Sequence, residues 1–279
     1  MQNLRLTIHD SRLNDSRLST MKTTFYKYQG TGNDFVILDN RVDPISLTIE
    51  QINKLCDRKF GIGADGLMLL NLKAGYDFEM KYYNADGNES SMCGNGGRCL
   101  TKFAFDRGLQ KEKYKFIAID GDHESVFAKN GWVHLKMVNV NSIKKHNSDS
   151  ILNTGSPHFI RPVKNVLTMD VFKEGHEIRY SKDFAAEGIN VNFVEATDKN
   201  KITVRTYERG VENETLSCGT GVTAAALVFA PTEKGSNRIE IKTIGGNLAV
   251  EFNKTGDSSF EDIWLCGPAE FVFKGEIEI

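Results

Sequence analysis

No stretch of this sequence approaches the uninterrupted apolar length that crosses a bilayer, so no membrane-spanning helix is expected. An excess of charge of one sign is missing too. Thirty-five Lys and Arg against 37 Asp and Glu leave a formal charge of −2, and no basic face announces nucleic acid. Cysteine is sparse and odd in number: Cys56, Cys93, Cys99, Cys218 and Cys266. That suits a reduced, cytoplasmic protein better than a disulfide scaffold. No tight Cys-x2-Cys pair occurs and the six His are scattered, which weighs against a metal site built on Cys93 and Cys99. No linker rich in Pro, Ser or Gly divides the chain, and no low-complexity tract appears. Residues 1–20 lack the apolar core of a signal peptide and carry acidic residues, unlike a transit peptide. They are expected to be a loosely ordered extension or to precede the true start, with a strand opening at Met21.

What is present is an ordinary soluble globular mix, 40% apolar and 26% charged over 279 residues, enough for one large domain or two modest ones. The chain also repeats itself. Thr31-Gly32-Asn33-Asp34-Phe35-Val36-Ile37 resembles Thr154-Gly155-Ser156-Pro157-His158-Phe159-Ile160, an offset of 123 residues. The alternating run Phe78–Tyr83 resembles Ile202–Tyr207 at an offset of 124, and Cys93-Gly-Asn-Gly matches Cys218-Gly-Thr-Gly at 125. Three matches in one order at nearly one offset mark two copies of one module. Strands are expected at Phe35–Asp39, Leu67–Leu70, Phe78–Tyr83, Tyr114–Ile119, Glu124–Ala128, Trp132–Val138, Arg238–Ile244, Leu248–Phe252 and Phe271–Lys274. Thr48 and Gln51 form a capping box for a helix whose Ile49, Ile52, Leu55 and Cys56 share a face. The segment after Cys218 is apolar nearly all round until Pro231 stops it, so it reads as a buried helix. Many strands around such a helix suggest a sheet curled about a central helix, once per module. The polar segment Asn139–Ser150, with no strand pattern, is the best candidate boundary.

Both repeated motifs put a thiol directly before a glycine-opened helix. The first N–H groups of a helix lack internal partners and carry the positive end of its dipole. A thiolate there is stabilised, so a lowered pKa is expected, and the same N–H groups can hold a carboxylate. Two such starts, facing each other across one cleft, would aim Cys93 and Cys218 at one atom from opposite sides. That suits inversion of a carbon acid: one thiolate removes the α-proton and the other thiol returns a proton to the opposite face. General acid–base transfer contributes roughly 10²–10⁴-fold, so preorganised electrostatics on the carboxylate must supply much of the rest. No metal or organic cofactor is needed. The alternatives at these cysteines are zinc ligation and a structural Cys93–Cys218 disulfide. Cys56 and Cys266 read as buried fillers, and Cys99 as core.

From Met21 onward the sequence resembles the diaminopimelate epimerase family. The matching pieces, in the family's order, are GTGNDFVILDN, FGIGADGLM, NADGNESSMCGNGGRC, GINVNFVE, TYERGVENETLSCGTGVTAAA, GGNLAV and CGPAEFVFKGEI. The resemblance implies an α+β fold of two pseudo-symmetric domains, each a mostly antiparallel sheet curled around a central helix. It implies a first module of residues 21–138 joined by a returning 266–279, and a second of 139–265. The implied reaction interconverts LL- and meso-diaminopimelate, in lysine and peptidoglycan precursor synthesis. By position, Cys93 and Cys218 are then the acid/base pair, with His158 and Glu208 influencing their protonation. Gly94, Asn95, Gly219 and Thr220 would present N–H groups to the reacting carboxylate. Asn33, Asn84, Asn190, Glu208 and Arg209 would bind the amino and carboxylate groups, Arg209 taking the distal carboxylate. A homodimer is also implied.

The sequence departs from the pattern at Gly66, where some members carry a substrate-contacting glutamine, and at Ser156, where others carry asparagine. The loop Gly210–Ser217 is one residue longer than the common form, and the second helix ends early at Pro231. Two other readings compete. A proline or hydroxyproline racemase of the same architecture typically shows CGHG at the first thiol, where this chain has Asn95, and has little use for Arg209. A thiol-based metal-binding or redox module is the rival from another class.

Overall fold

The structure is a computed structural model that describes residues 22–279, so the expectations for residues 1–20 and for Met21 lie outside it. The first half runs β1 (Lys22–Gly30), β2 (Asn33–Asp39), α1 (Ile49–Cys56), β3 (Gly66–Asn71), β4 (Phe78–Asn84), β5 (Glu89–Ser90), α2 (Gly94–Asp106), β6 (Lys113–Ala118), β7 (Gly121–Phe127), β8 (Val133–Lys136) and β9 (Lys144–His146). The second runs β10 (Asp149–Asn153), β11 (Pro157–Pro162), α3 (Val171–Arg179), β12 (Asn190–Asp198), β13 (Lys201–Glu208), β14 (Asn213–Thr215), α4 (Gly219–Val228), β15 (Gly235–Thr243), β16 (Gly246–Lys254), β17 (Phe260–Gly267) and β18 (Glu270–Glu278). The element order is the same twice over, and so is the pairing. β1–β2 is antiparallel, β2–β3 parallel, β3–β4 and β4–β5 antiparallel, β4–β6 parallel, then β6–β7–β8 antiparallel. Each of these has its counterpart among β10–β17. The fold is α+β in two repeated halves.

The halves join where equivalent strands meet: β8 lies antiparallel to β17, with Leu135 opposite Leu265. They also exchange their last strands. β18 runs along β1 for nearly its full length, and β9 pairs with β10. In each half the sheet wraps a helix. Helix α2 touches β1–β4, β7 and β8, while α4 touches β10–β13 and β15–β17. Burial follows the alternation of the sequence: in β4, Phe78, Met80 and Tyr82 point inward while Glu79, Lys81 and Tyr83 do not. Leu100 and Phe103 of α2 and Val222 of α4 are wholly buried, each worth roughly 1.5–3 kcal/mol of transfer free energy.

Several expectations need correction. Asn139–Ser150 is not strandless: β9 and the first residues of β10 lie in it. β9 is Lys-Lys-His, paired on one side only, and an edge strand needs no apolar alternation. The capping box of α1 is present, but Ile49 points outward, 52% exposed, leaving Ile52, Leu55 and Cys56 as its buried face.

Candidate active site

Cys93 is the N-cap residue of α2, and Cys218 the N-cap residue of α4. Neither helix start has a side-chain cap. The N–H groups of Gly94, Asn95 and Gly96, and of Gly219, Thr220 and Gly221, precede the first intrahelical bonds, which are Gly97 to Cys93 and Val222 to Cys218. The two starts meet. A Cβ placed on Gly94 would lie 3.5 Å from Cα of Gly219, and one on Gly219 would lie 3.3 Å from Cα of Gly94. Glycine at both positions lets the backbones approach that closely. Above the contact is a cleft of about 1040 Å³, and both thiols line it.

The Cys93 thiol donates to Oδ1 of Asn33 at 3.6 Å, and the Cys218 sulfur lies 3.5 Å from Oγ1 of Thr220. The expected lowering of the thiol pKa does not hold. Burial pushes Cys93 up, the Glu208 carboxylate adds to this, and the N–H groups of Gly96 and Asn95 only partly oppose it. Burial and then Glu208 push Cys218 up as well, against the Thr220 hydroxyl and the Gly221 N–H. At these two buried sulfurs the cost of taking a thiolate out of water outweighs the helix starts. Both sulfurs are therefore biased toward the thiol form. Burial also raises the Glu208 carboxyl, while the Thr215 hydroxyl, donating at 2.9 Å, pulls the other way.

His158 does not face the cleft. It is wholly buried, and its Nε2 lies 2.9 Å from Oγ1 of Thr220, one hydroxyl behind Cys218. Its Nδ1 is 3.0 Å from Nδ2 of Asn192. The Asn192 amide is oriented by Thr206, which donates to Oδ1, and by the carbonyl of Phe159, which accepts from Nδ2. Nδ1 therefore accepts, Nε2–H donates to Thr220, and the Thr220 hydroxyl is free to donate to the Cys218 sulfur. Burial, and then the charge of Arg209, hold His158 down at about 3, so it stays neutral.

Of the remaining predicted residues, Asn33, Asn84, Asn95, Asn190, Glu208 and Arg209 all line the cleft. Several are already engaged. Asn33 donates to Asp65 at 2.6 Å and accepts from Asn95 at 3.3 Å. Asn95 also donates to the carbonyl of Ser217 at 3.0 Å, tying the start of α2 to the residue before Cys218. Asn190 spends both amide hydrogens on Ser156 and Pro157 and accepts from the backbone N–H of Arg209. Arg209 donates to the carbonyl of Glu187 at 3.0 Å and pairs with no carboxylate among the described residues. One group of three possible metal ligands occurs among the described residues, His134, Glu251 and Cys266, and it lies away from the cleft. Cys99 is core, with its thiol pushed up to about 12 by burial.

A family model described as diaminopimelate epimerase matches residues 25–142 and 150–272. The chain belongs to the diaminopimelate epimerase family. It is an amino-acid epimerase. The diaminopimelate epimerase of Flavobacterium psychrophilum is 51% identical over 254 residues, spanning 90% of this chain and 99% of that protein. Among solved structures, a PhzF-family phenazine biosynthesis protein from Bacillus anthracis matches with a TM-score of 0.75 at 16% identity, covering 93% of this chain and all of that one. A hydroxyproline epimerase from Agrobacterium vitis, with bound trans-4-hydroxy-L-proline, matches with a TM-score of 0.66 at 14% identity, covering 92% and 93%. At such identities the likeness is one of fold.

Within the diaminopimelate epimerase family, this chain's departures at Gly66 and Ser156 have visible counterparts. A Cβ on Gly66 would lie 2.5 Å from the carbonyl oxygen of Tyr83 and 2.6 Å from Cε2 of Tyr82, whose ring lines the cleft. Ser156 keeps a contact through its hydroxyl, which accepts from Asn190 at 2.8 Å. Sequence reasoning missed Tyr82, Asp65, Asn192 and the N–H groups of Gly96 and Gly221. The inward parity of Tyr82 in β4, and of Asn190 and Asn192 in β12, was the available signal.

Proposed function

We propose that this cleft interconverts LL- and meso-diaminopimelate by proton transfer between its two thiols. One sulfur, as thiolate, takes the α-proton; the other, as thiol, donates a proton to the opposite face of the carbanion. One C–H bond breaks as an S–H bond forms on the first sulfur, the S–H bond of the second breaks as the new C–H bond forms, and the two sulfurs exchange protonation states. The N–H groups of Gly94, Asn95, Gly219 and Thr220 would hold the reacting carboxylate, where negative charge grows in the transition state. Glu208 would accept from the ammonium group, with Asn33 and Asn84 beside it. Arg209, free of any carboxylate partner among the described residues, would take the distal carboxylate, with Asn190 fixing its backbone. His158 would act through Thr220, as a positioning group. The observation that carries this reading is the meeting of the two Cys-capped helix starts at Gly94 and Gly219, under one cleft lined by both thiols. The guanidinium of Arg209, with no carboxylate partner among the described residues, favours a doubly charged substrate over a proline-like ring.

In D2O the enzyme should exchange the α-hydrogen as it inverts the centre. Cys93→Ala and Cys218→Ala should each lose at least about 10³-fold in kcat, since each removes the proton carrier for one face. Substantial inversion by either variant would sink the two-thiol mechanism. The reading extends to a cytoplasmic homodimer. Five free cysteines suit a reducing compartment. The half-exposed Phe271, Val272 and Phe273 of β18 offer an apolar surface for pairing.

A further inference from the structure

Arg98 sits one turn into α2 with no exposed surface, the largest of the wholly buried side chains. Its guanidinium donates to the carbonyl of Gly94 at 3.3 Å, to Oδ1 of Asn95 at 3.1 Å, to Oγ1 of Thr31 at 3.4 Å and to the carbonyl of Pro268 at 3.4 Å. Every one of these acceptors is neutral. Among the described residues no carboxylate pairs with it, whereas the other buried cation of the first half, Lys27, is held by Asp34 at 2.7 Å. A guanidinium cannot shed its proton, and a buried charge without a counter-charge is costly. An anion held nearby for part of the working cycle would offset that cost.

We propose that Arg98 is a positioning residue whose uncompensated charge serves the anions that come and go at the start of α2: the Cys93 thiolate and the substrate carboxylate held by Gly94 and Asn95. Its bonds go to those same two residues, so the charge is fixed relative to the groups that receive the anion. It adds a full positive charge behind the partial charge of the helix start. Through Asn95 it also steadies Asn33 and the carbonyl of Ser217 in the other half. The groups that face Cys93 frame the effect. Glu208 from β13 opposes ionisation and Arg98 favours it. Cys218 stands across the cleft, Tyr82 of β4 lies beside Cys93, and Cys99 shares its helix. Arg98 is the cation among them. This inference rests on the two-thiol reading for its purpose, though its test does not.

The test is the pH dependence of Cys93 alkylation by iodoacetamide in the substrate-free enzyme, read from the mass of the Cys93 peptide, for wild type, Arg98→Gln and Arg98→Lys. With the charge removed, the midpoint should rise by about one pH unit, as for a unit charge at helix-turn distance in a partly buried site. Catalysis by Arg98→Gln should fall about 100-fold, mainly in kcat. Arg98→Lys, which keeps the charge, should hold the midpoint within about 0.3 of wild type and lose less than about tenfold in kcat. An unmoved midpoint in Arg98→Gln, or equal rises in both variants, overturns the proposal. Should Arg98→Gln fail to fold, Arg98→Lys decides alone: a midpoint near wild type supports the proposal, and a rise of about one pH unit overturns it. Because no substrate is present, a failure of the two-thiol reading (inversion surviving in Cys93→Ala) is a separate result.

Discussion

Behind Cys218 three side chains run inward in a line: Thr220, His158 and Asn192. Each has its hydrogen-bonding direction fixed by the next, and the series ends on Thr206 and the carbonyl of Phe159. A neutral His158 held at about 3 cannot act as a proton donor at working pH. What it can do is hold the Thr220 hydroxyl so that its hydrogen points at the sulfur, steadying the thiolate when it forms. Thr220→Val removes that hydroxyl and leaves Nε2–H of His158 buried without an acceptor. The expected costs are about 1–3 kcal/mol of stability and a roughly 10–100-fold loss in kcat. Thr220→Ser, which keeps the hydroxyl, should recover most of both. Thermal melts and steady-state kinetics on the pair check this, and a fully active Thr220→Val would show that the hydroxyl does nothing for Cys218. The family resemblance pointed to His158 and set it near the thiols. The intervening Thr220 was legible only as a helix N–H donor, because a hydrogen-bond relay depends on side-chain direction rather than spacing.

At the scale of elements, α2 and α4 were legible because each breaks the strand pattern with a glycine-opened, apolar stretch. What the pattern could not give was their contact, which depends on two glycines 125 positions apart in the sequence facing one another. Helix α3 left little signal for the same reason in reverse: only Val171 and Gly175 of its nine residues are buried, so it shows no apolar stripe. The helix contact makes its own prediction. In Gly219→Ala the new methyl would stand 3.0 Å from Cδ2 of Leu265 and 3.3 Å from Cα of Gly94. Leu265 can turn aside, but the Gly94 backbone cannot, so the helix starts must move apart by a few tenths of an ångström and carry the thiols with them. Misplacement of reacting groups is expensive in rate, so kcat should fall about 30- to 100-fold while the melting temperature drops by only a few degrees. Equal activity in Gly219→Ala and wild type would mean that the close approach of the helices is not what sets the distance between the sulfurs.

For the whole molecule, the repeat in the sequence foretold two like halves, and the offsets of 123 to 125 residues hold across paired elements such as β2 with β11 and α2 with α4. The crossing of β9 and β18 between halves was less legible, since a three-residue polar edge strand carries no period of its own. Closing two sheets around two helices also buries groups that titrate, and this sets a pH window for stability. On the acid side, burial holds His158 at about 3 and lowers His134 as well. The unfolded chain then binds protons near pH 6.5 that the folded chain refuses, so stability is lost as pH falls from there toward 3. On the alkaline side, burial pushes Cys56 up to about 11 and Cys99 and Cys266 up to about 12, and raises Cys93 and Cys218 too. Below the ordinary thiol range these shifts cost nothing. Above it the unfolded chain ionises and the folded chain does not, so stability falls with rising pH by up to about 1.4 kcal/mol per pH unit for each such thiol. Buried Tyr28 and Tyr82, both raised by burial, extend the loss beyond pH 10. Unfolding by urea should therefore show a plateau between about pH 6.5 and 8.5 and a steep decline above it. Cys99→Ala, with no thiol left to ionise, should lower the plateau but flatten the alkaline decline by close to one thiol's share. An unchanged alkaline slope in that variant would mean that Cys99 ionises in the folded protein as freely as in the unfolded chain.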